Sequence, residues 1–131
     1  AMTLSAPVNL ACVLDWESTV QNITLLSNIN TTSSIEVKRG TLKTGNFNIS
    51  CSTFQDGAGG NVHALELGSS IITCTLDWKW GQAGSTLTAG TSVINGGRNF
   101  GVSAGLTYNI VNLTGATSAV STSNTFAQLN P

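Results

Sequence analysis

Charge is what this chain most lacks. Only 8% of its 131 residues are Asp, Glu, Lys or Arg, against about 25% in an ordinary soluble domain. The five cations, Lys38, Arg39, Lys43, Lys79 and Arg98, are scattered, and the formal net charge is −1. No basic stripe can neutralise a run of phosphates, which argues against nucleic acid as a partner. Apolar runs are only a few residues long, far short of the ~20 that cross a bilayer, so no membrane span is expected. There is one histidine, and neither a His pair nor a Cys-x-x-Cys motif, so no metal or cofactor is expected.

What replaces charge is neutral polarity. Hydrophobic residues reach 40%, which excludes disorder by excess charge, and 18 Thr, 15 Ser and 13 Asn supply the wet surface. Threonine suits half-exposed pleated surfaces, and Asn, Ser and Gly suit turns. Such a balance is common on extracellular surfaces and fibres, so an extracellular or cell-surface location is expected. The length fits one domain spanning residues 1–131.

Alternation with a period of two dominates the chain. From Met2 to Trp16 every even position is apolar. Pro7 interrupts that run, which predicts an edge strand over Met2–Ala6, a kink, and a second strand over Val8–Trp16. Further strands are expected around Val20–Leu26, Ile35–Val37, Phe47–Cys51, Val62–Leu67, Ile71–Trp80, Ser85–Val93, Asn99–Ser103, Leu106–Leu113 and Ala119–Phe126. The Asp56–Asn61 segment reads as the loop of a hairpin. Short strands, regular turns and no amphipathic helix predict an all-β fold, an antiparallel immunoglobulin-like β-sandwich of about eight to ten strands, with a barrel second. The echo of Cys12-Val-Leu-Asp-Trp16 in Cys74-Thr-Leu-Asp-Trp78 does not extend far enough to establish a duplication.

Three cysteines, Cys12, Cys51 and Cys74, sit on the apolar sides of their strands and are the disulfide candidates. Chain closure favours the three pairings by ~3.4 kcal/mol for Cys51–Cys74, ~3.9 for Cys12–Cys51 and ~4.3 for Cys12–Cys74, too close to choose among them. Trp16, Trp78 and Trp80 form either a carbohydrate platform or core. Trp78 and Trp80 share a face with Ile72 and Leu76, which favours core, with Trp80 at the strand end the exception. His63 has no nucleophile or carboxylate motif around it and reads as a surface residue. Asp15 with Glu17 or Asp77 reads as solvated carboxylates, so no catalytic residue is expected and the chain is read as not an enzyme. The Asn-x-Ser/Thr sequons at Asn22, Asn30, Asn48 and Asn112 are about as many as this composition produces by chance, and establish no glycosylation.

The run Pro7-Val-Asn-Leu-Ala-Cys12-Val-Leu-Asp15, then Val20-Gln21 and Asn46-Phe-Asn-Ile-Ser-Cys51, resembles the first half of chaperone–usher pilus (fimbrial) subunits. Asn61–Leu67 and the tail from Thr114 to Phe126 are similar in a looser way. The resemblance implies an incomplete immunoglobulin-like sandwich that polymerises by strand addition, with Cys12 and Cys51 as its disulfide. Leu65–Cys74 is similar instead to the ending of immunoglobulin-like surface repeats, which would pair Cys12 with Cys74. The expected function is therefore a non-catalytic extracellular structural or adhesive domain. Its partners would be like subunits or other surface proteins met through sheet edges, and possible glycans. The alternative is a carbohydrate-binding module using exposed tryptophans.

Overall fold

The computed structural model describes residues 22–57, 61–100, 105–115, 120 and 124–131, and the backbone alone of residues 2–4, 8–10, 14–16 and 119. The chain winds in successive coils. The first contributes β1 (Met2–Leu4), β2 (Val8–Leu10) and β3 (Leu14–Trp16); the second β4 (Asn22–Leu25), β5 (Ile29–Thr31) and β6 (Ile35–Val37). The third contributes β7 (Gly40–Lys43) and the long β8 (Ile49–Asp56), the fourth β9 (His63–Glu66) and the long β10 (Ile71–Lys79). The fifth holds β11 (Ser85–Thr88), β12 (Val93–Gly96) and β13 (Asn99–Phe100), and β14 (Thr107–Leu113), β15 (Ala119–Val120) and β16 (Thr125–Asn130) follow.

Every described strand pairing is parallel, and each joins a strand to its counterpart one coil away. The result is a parallel β-solenoid, in which each coil buries its apolar edge only by stacking on its neighbours. Wall one runs β1-β4-β7-β9-β11, and wall two runs β2-β5-β8-β10-β12-β14-β16. Wall three is made by β3, β6, the ends of β8 and β10, β13 and β15.

The antiparallel immunoglobulin-like sandwich is thereby overturned, and with it the fold that the pilus-subunit and surface-repeat resemblances imply. The alternation was real, but period two reports which face is buried and carries no strand direction. The turns misled for a similar reason. Thr44-Gly45-Asn46-Phe47, Leu67-Gly68-Ser69-Ser70 and Ala89-Gly90-Thr91-Ser92 each close a turn from the fourth residue's N–H to the first residue's carbonyl, at 3.0, 3.0 and 3.1 Å. Their glycines have φ of +60°, +56° and +58°. This is the residue chemistry of a hairpin, used here to swing the chain from wall one onto wall two.

Strand limits change accordingly. The N-terminal alternation is divided among β1, β2 and β3, on three different walls, rather than two strands. Ser85–Val93 is not one strand but β11, the turn from Ala89 to Ser92 and the first residue of β12, and residues 58–60 of the Asp56–Asn61 loop lie outside the described residues. In Ile71–Trp80 a register shift falls between Cys74 and Asp77. Alternation breaks there, and Leu76 turns out to 39% exposure instead of joining Ile72 and Trp78 inside.

The core is a set of columns, one residue per coil. Wall one stacks Ile23, Leu42, Leu65 and Leu87. Wall two stacks Ile29, Ile49, Ile72, Ile94 and Val111, and the column ends on the exposed Leu129. Wall three stacks Ile35, Phe54, Trp78 and Phe100. Like residues repeat because parallel register brings each position over its own equivalent, where β-branched and aromatic side chains pack on one another. Asp56 closes the fourth coil: its Oδ2 accepts from the Gly81 and Gln82 N–H groups at 2.6 and 2.7 Å, and from the Ser85 hydroxyl.

Candidate binding face

The expected site residues are mostly core. Trp78 and Trp80 are both 0% exposed, which removes them as a sugar platform and corrects the expectation for Trp80 in particular. Trp78 Nε1 donates to the Tyr108 hydroxyl at 3.3 Å, and Trp80 Nε1 to the Thr86 carbonyl at 3.2 Å. The side chain of Trp16 lies outside the described residues. His63 is not on the surface but fully buried. Its Nδ1 donates to the Val37 carbonyl at 3.0 Å, and its ring edge meets Trp80. Among the described residues, no group of His, Cys, Asp and Glu could hold a metal ion.

Cys12 lies outside the described residues. Cys51 and Cys74, by contrast, are brought together: they are register partners on β8 and β10 with Sγ atoms 3.8 Å apart, both as free thiols. The thiol–thiol hydrogen bond and burial push the Cys74 thiol far above its ordinary value.

Asp15 and Asp77 occupy different columns: Asp15 aligns with Glu36, whereas Asp77 aligns with Thr53 and Asn99. Asp77 is no free carboxylate. Lys79 lies at 3.1 Å, Arg98 at 3.8 Å, and the Asn99 amide donates to it at 2.8 Å. Burial pushes its carboxyl upward, but the hydrogen bonds from Lys79 and Asn99 and the charges of Lys79 and Arg98 outweigh this, and the net shift is down. A carboxylate held ionised among cations is a structural knot on wall three, poorly suited to general acid catalysis. Charge on wall one is likewise paired, Lys43 with Glu66 at 3.0 Å.

Wall two differs. Its described outward side chains are Asn30, Ser50, Thr73, Asn95, Asn112 and Asn130 in one column and Ile71, Val93, Ile110 and Gln128 in the next. None carries a charge. The polar column is a hydrogen-bonded ladder: Asn95 donates to Thr73 at 3.3 Å, Asn112 to Asn95 at 2.7 Å, and Asn130 to Asn112 at 2.6 Å. Each amide fixes its neighbour's orientation and keeps a second N–H and a carbonyl lone pair for another partner. Beside it, Ile71 (42% exposed), Val93 and Ile110 form an apolar strip. Two sequons, at Asn30 and Asn112, place their asparagines in this ladder. A third, Asn48, uses its Oδ1 to accept the Ile71 N–H at 2.8 Å.

This face was missed in the sequence because its residues lie about twenty positions apart. The available signal was the recurrence of Ile-Asn or Ile-Thr pairs at Ile29-Asn30, Ile72-Thr73 and Ile94-Asn95. A search for periods of 20–50 residues is the tool that finds such repeats. Comparison with known proteins adds no relative: no family model, no curated protein and no solved structure matches the chain.

Proposed function

We propose that the chain is a non-catalytic structural domain of an extracellular or cell-surface assembly that lies against a neutral polysaccharide through the outer face of wall two. The observation that carries this reading is the segregation of charge. Every charged residue with a described side chain lies off this face, which instead offers preoriented amides and hydroxyls beside an apolar strip. Sugars present both kinds of surface, hydroxyls to pair with amides and C–H faces to cover Ile71, Val93 and Ile110. An uncharged face binds without electrostatic steering, so such binding is insensitive to salt. The hydroxyl-rich, charge-poor composition supports placement outside the cell.

Gel electrophoresis through immobilised polysaccharides tests this. Neutral glucans, mannans or chitin oligomers in the gel should retard the chain, with little change on raising the salt. Thr73→Lys and Asn95→Lys, on the face, should weaken retardation at least tenfold, whereas Thr88→Lys on wall one should not. Retardation only by anionic polymers, or by none of the panel, sinks the reading.

A second reading rests on the sheet edges. Among the described strands, β16 pairs only with β14. Its sequence, Thr-Phe-Ala-Gln-Leu-Asn, has neither the lysine nor the proline that blunts an exposed edge. A like subunit adding a strand there would give concentration-dependent assembly in sedimentation, abolished by Gln128→Pro. A monomer at all concentrations would exclude it.

A further inference from the structure

We infer that Cys51 and Cys74 are a disulfide-forming pair, a covalent staple between the third and fourth coils that closes when the chain folds with a disulfide oxidant. The argument is geometric. The two residues are direct register partners on parallel strands β8 and β10. Neighbouring strands lie about 4.8 Å apart, inside the ~4.4–6.8 Å Cα separation that a disulfide spans. Both side chains project to the same, inner side, each is 1% exposed, and the Sγ atoms already touch at 3.8 Å. Closing that gap to a bond of about 2.05 Å takes side-chain rotation with no change of register.

The pair lies inside a packed column. Below Cys51 the same column continues to Thr31, and above Cys74 to Gly96, where the Phe100 ring occupies the space a side chain would take. Ile49 and Ile72 flank the pair on wall two and Trp78 lies further along β10, so both thiols are walled from solvent. A bulky oxidant reaches them only before the coils pack. The step is therefore thiol–disulfide exchange during folding. One cysteine thiolate attacks oxidised glutathione and releases a glutathione thiolate, and the second then attacks the mixed disulfide and releases the other. Two thiols lose two protons and two electrons, and one disulfide oxidant becomes two thiols.

The test is refolding in a glutathione redox buffer, blocking of free thiols, and non-reducing peptide mapping. Trypsin does not cut between Lys43 and Lys79, so both cysteines share one tryptic peptide. Cleavage after Glu66 separates them. The expected result is a Cys51–Cys74 link with Cys12 alkylated, and the same link in Cys12→Ser. Reduction should lower the urea midpoint of the wild type and leave Cys51→Ser unchanged. Two results overturn the inference: a link from Cys12 to either residue, or three alkylated thiols in a chain whose near-ultraviolet circular dichroism is native. Should oxidative refolding fail, the natively folded chain is treated with hydrogen peroxide, a small oxidant, and mapped in the same way. A Cys51–Cys74 link supports the pairing and its absence refutes it.

Discussion

Phe54 and Trp78 lie face to face, one coil apart, with ring centroids 5.0 Å apart and planes within 15°. Trp78 in turn stacks on Phe100 at 6.0 Å. Three aromatic residues from three coils thus form one continuous pile inside wall three. It welds coils three to five where β8 and β10 turn from wall two to wall three, and it fixes register, because a slip by one residue would point every ring outward.

Trp78→Ala should cost about 3–5 kcal/mol in urea unfolding, since it opens a cavity between two rings that cannot collapse onto each other. Trp78→Phe keeps the pile and should cost about 1–2 kcal/mol, chiefly through lost volume and the lost donor to Tyr108. Equal losses for both variants would mean that stacking contributes little.

Asn112 is the middle of the outer ladder, donating to Asn95 and accepting from Asn130. Asn112→Ala removes both bonds from a half-exposed site and should cost about 1–2 kcal/mol. Asn112→Asp removes the donor and sets a carboxylate against the Asn95 carbonyl. Its penalty should shrink below about pH 4, where the acid protonates and donates again. Denaturant midpoints at neutral and acid pH distinguish the two effects.

Asp77 carries a depressed carboxyl in the folded state, for although burial opposes it, the Lys79 and Asn99 hydrogen bonds and nearby cations prevail. The unfolded chain therefore takes up this proton at a higher pH than the folded chain. The stabilisation is complete above the ordinary value of about 3.9 and is lost as pH falls through the lower folded value. Asp77→Asn should lower stability at pH 7 and flatten its decline in acid. An unchanged acid limb would show that Asp77 does not contribute to it.

Tyr108 is the chain's single tyrosine, so its ultraviolet absorbance titration reads one group. Burial pushes its phenol from 10.0 to about 12, the Trp78 bond lowering it and the Asp56 charge raising it. The unfolded chain ionises first, so the Tyr108 contribution to stability should be constant below about pH 10 and be lost between about 10 and 12. Tyr108→Phe should remove that alkaline limb and cost about 1–3 kcal/mol, because the Trp78 N–H then has no acceptor. A tyrosine titrating near pH 10 in the native chain would contradict the buried geometry.

Much of this was legible in the residues. The inward sides of Ile35–Val37 and Ile49–Cys51 follow directly from alternation, as do Ile72 and Cys74 at the head of β10. Trp78 is core as expected, although the alternation behind that expectation breaks between Cys74 and Asp77. Other features were illegible for definable reasons. Gly45, Gly68 and Gly90 sit in tight turns whose sequence is the same whether the chain reverses into a hairpin or turns a solenoid corner. Leu76 faces outward because the chain shifts register between walls two and three, and a uniform period of two has no term for that shift. His63 alternates in phase with the buried Leu65 and Leu67, a local cue to its burial, but the carbonyl that satisfies its ring, that of Val37, lies 26 positions away.

The sequence by itself determined that the chain is all-β, that its strands bury one face, and that its polarity is neutral rather than ionic. Those properties depend on each residue and its immediate neighbours. Only the tertiary structure decided that the described strands run parallel, that Cys51 lies on Cys74, that Asp77 gathers Lys79, Arg98 and Asn99, and that the described outer face of wall two carries no charge. Each of these depends on register between strands about twenty residues apart. Register is a cooperative choice of the whole stack, made by columns such as Ile49–Ile72–Ile94 and Phe54–Trp78–Phe100 packing at once, and no single segment encodes it.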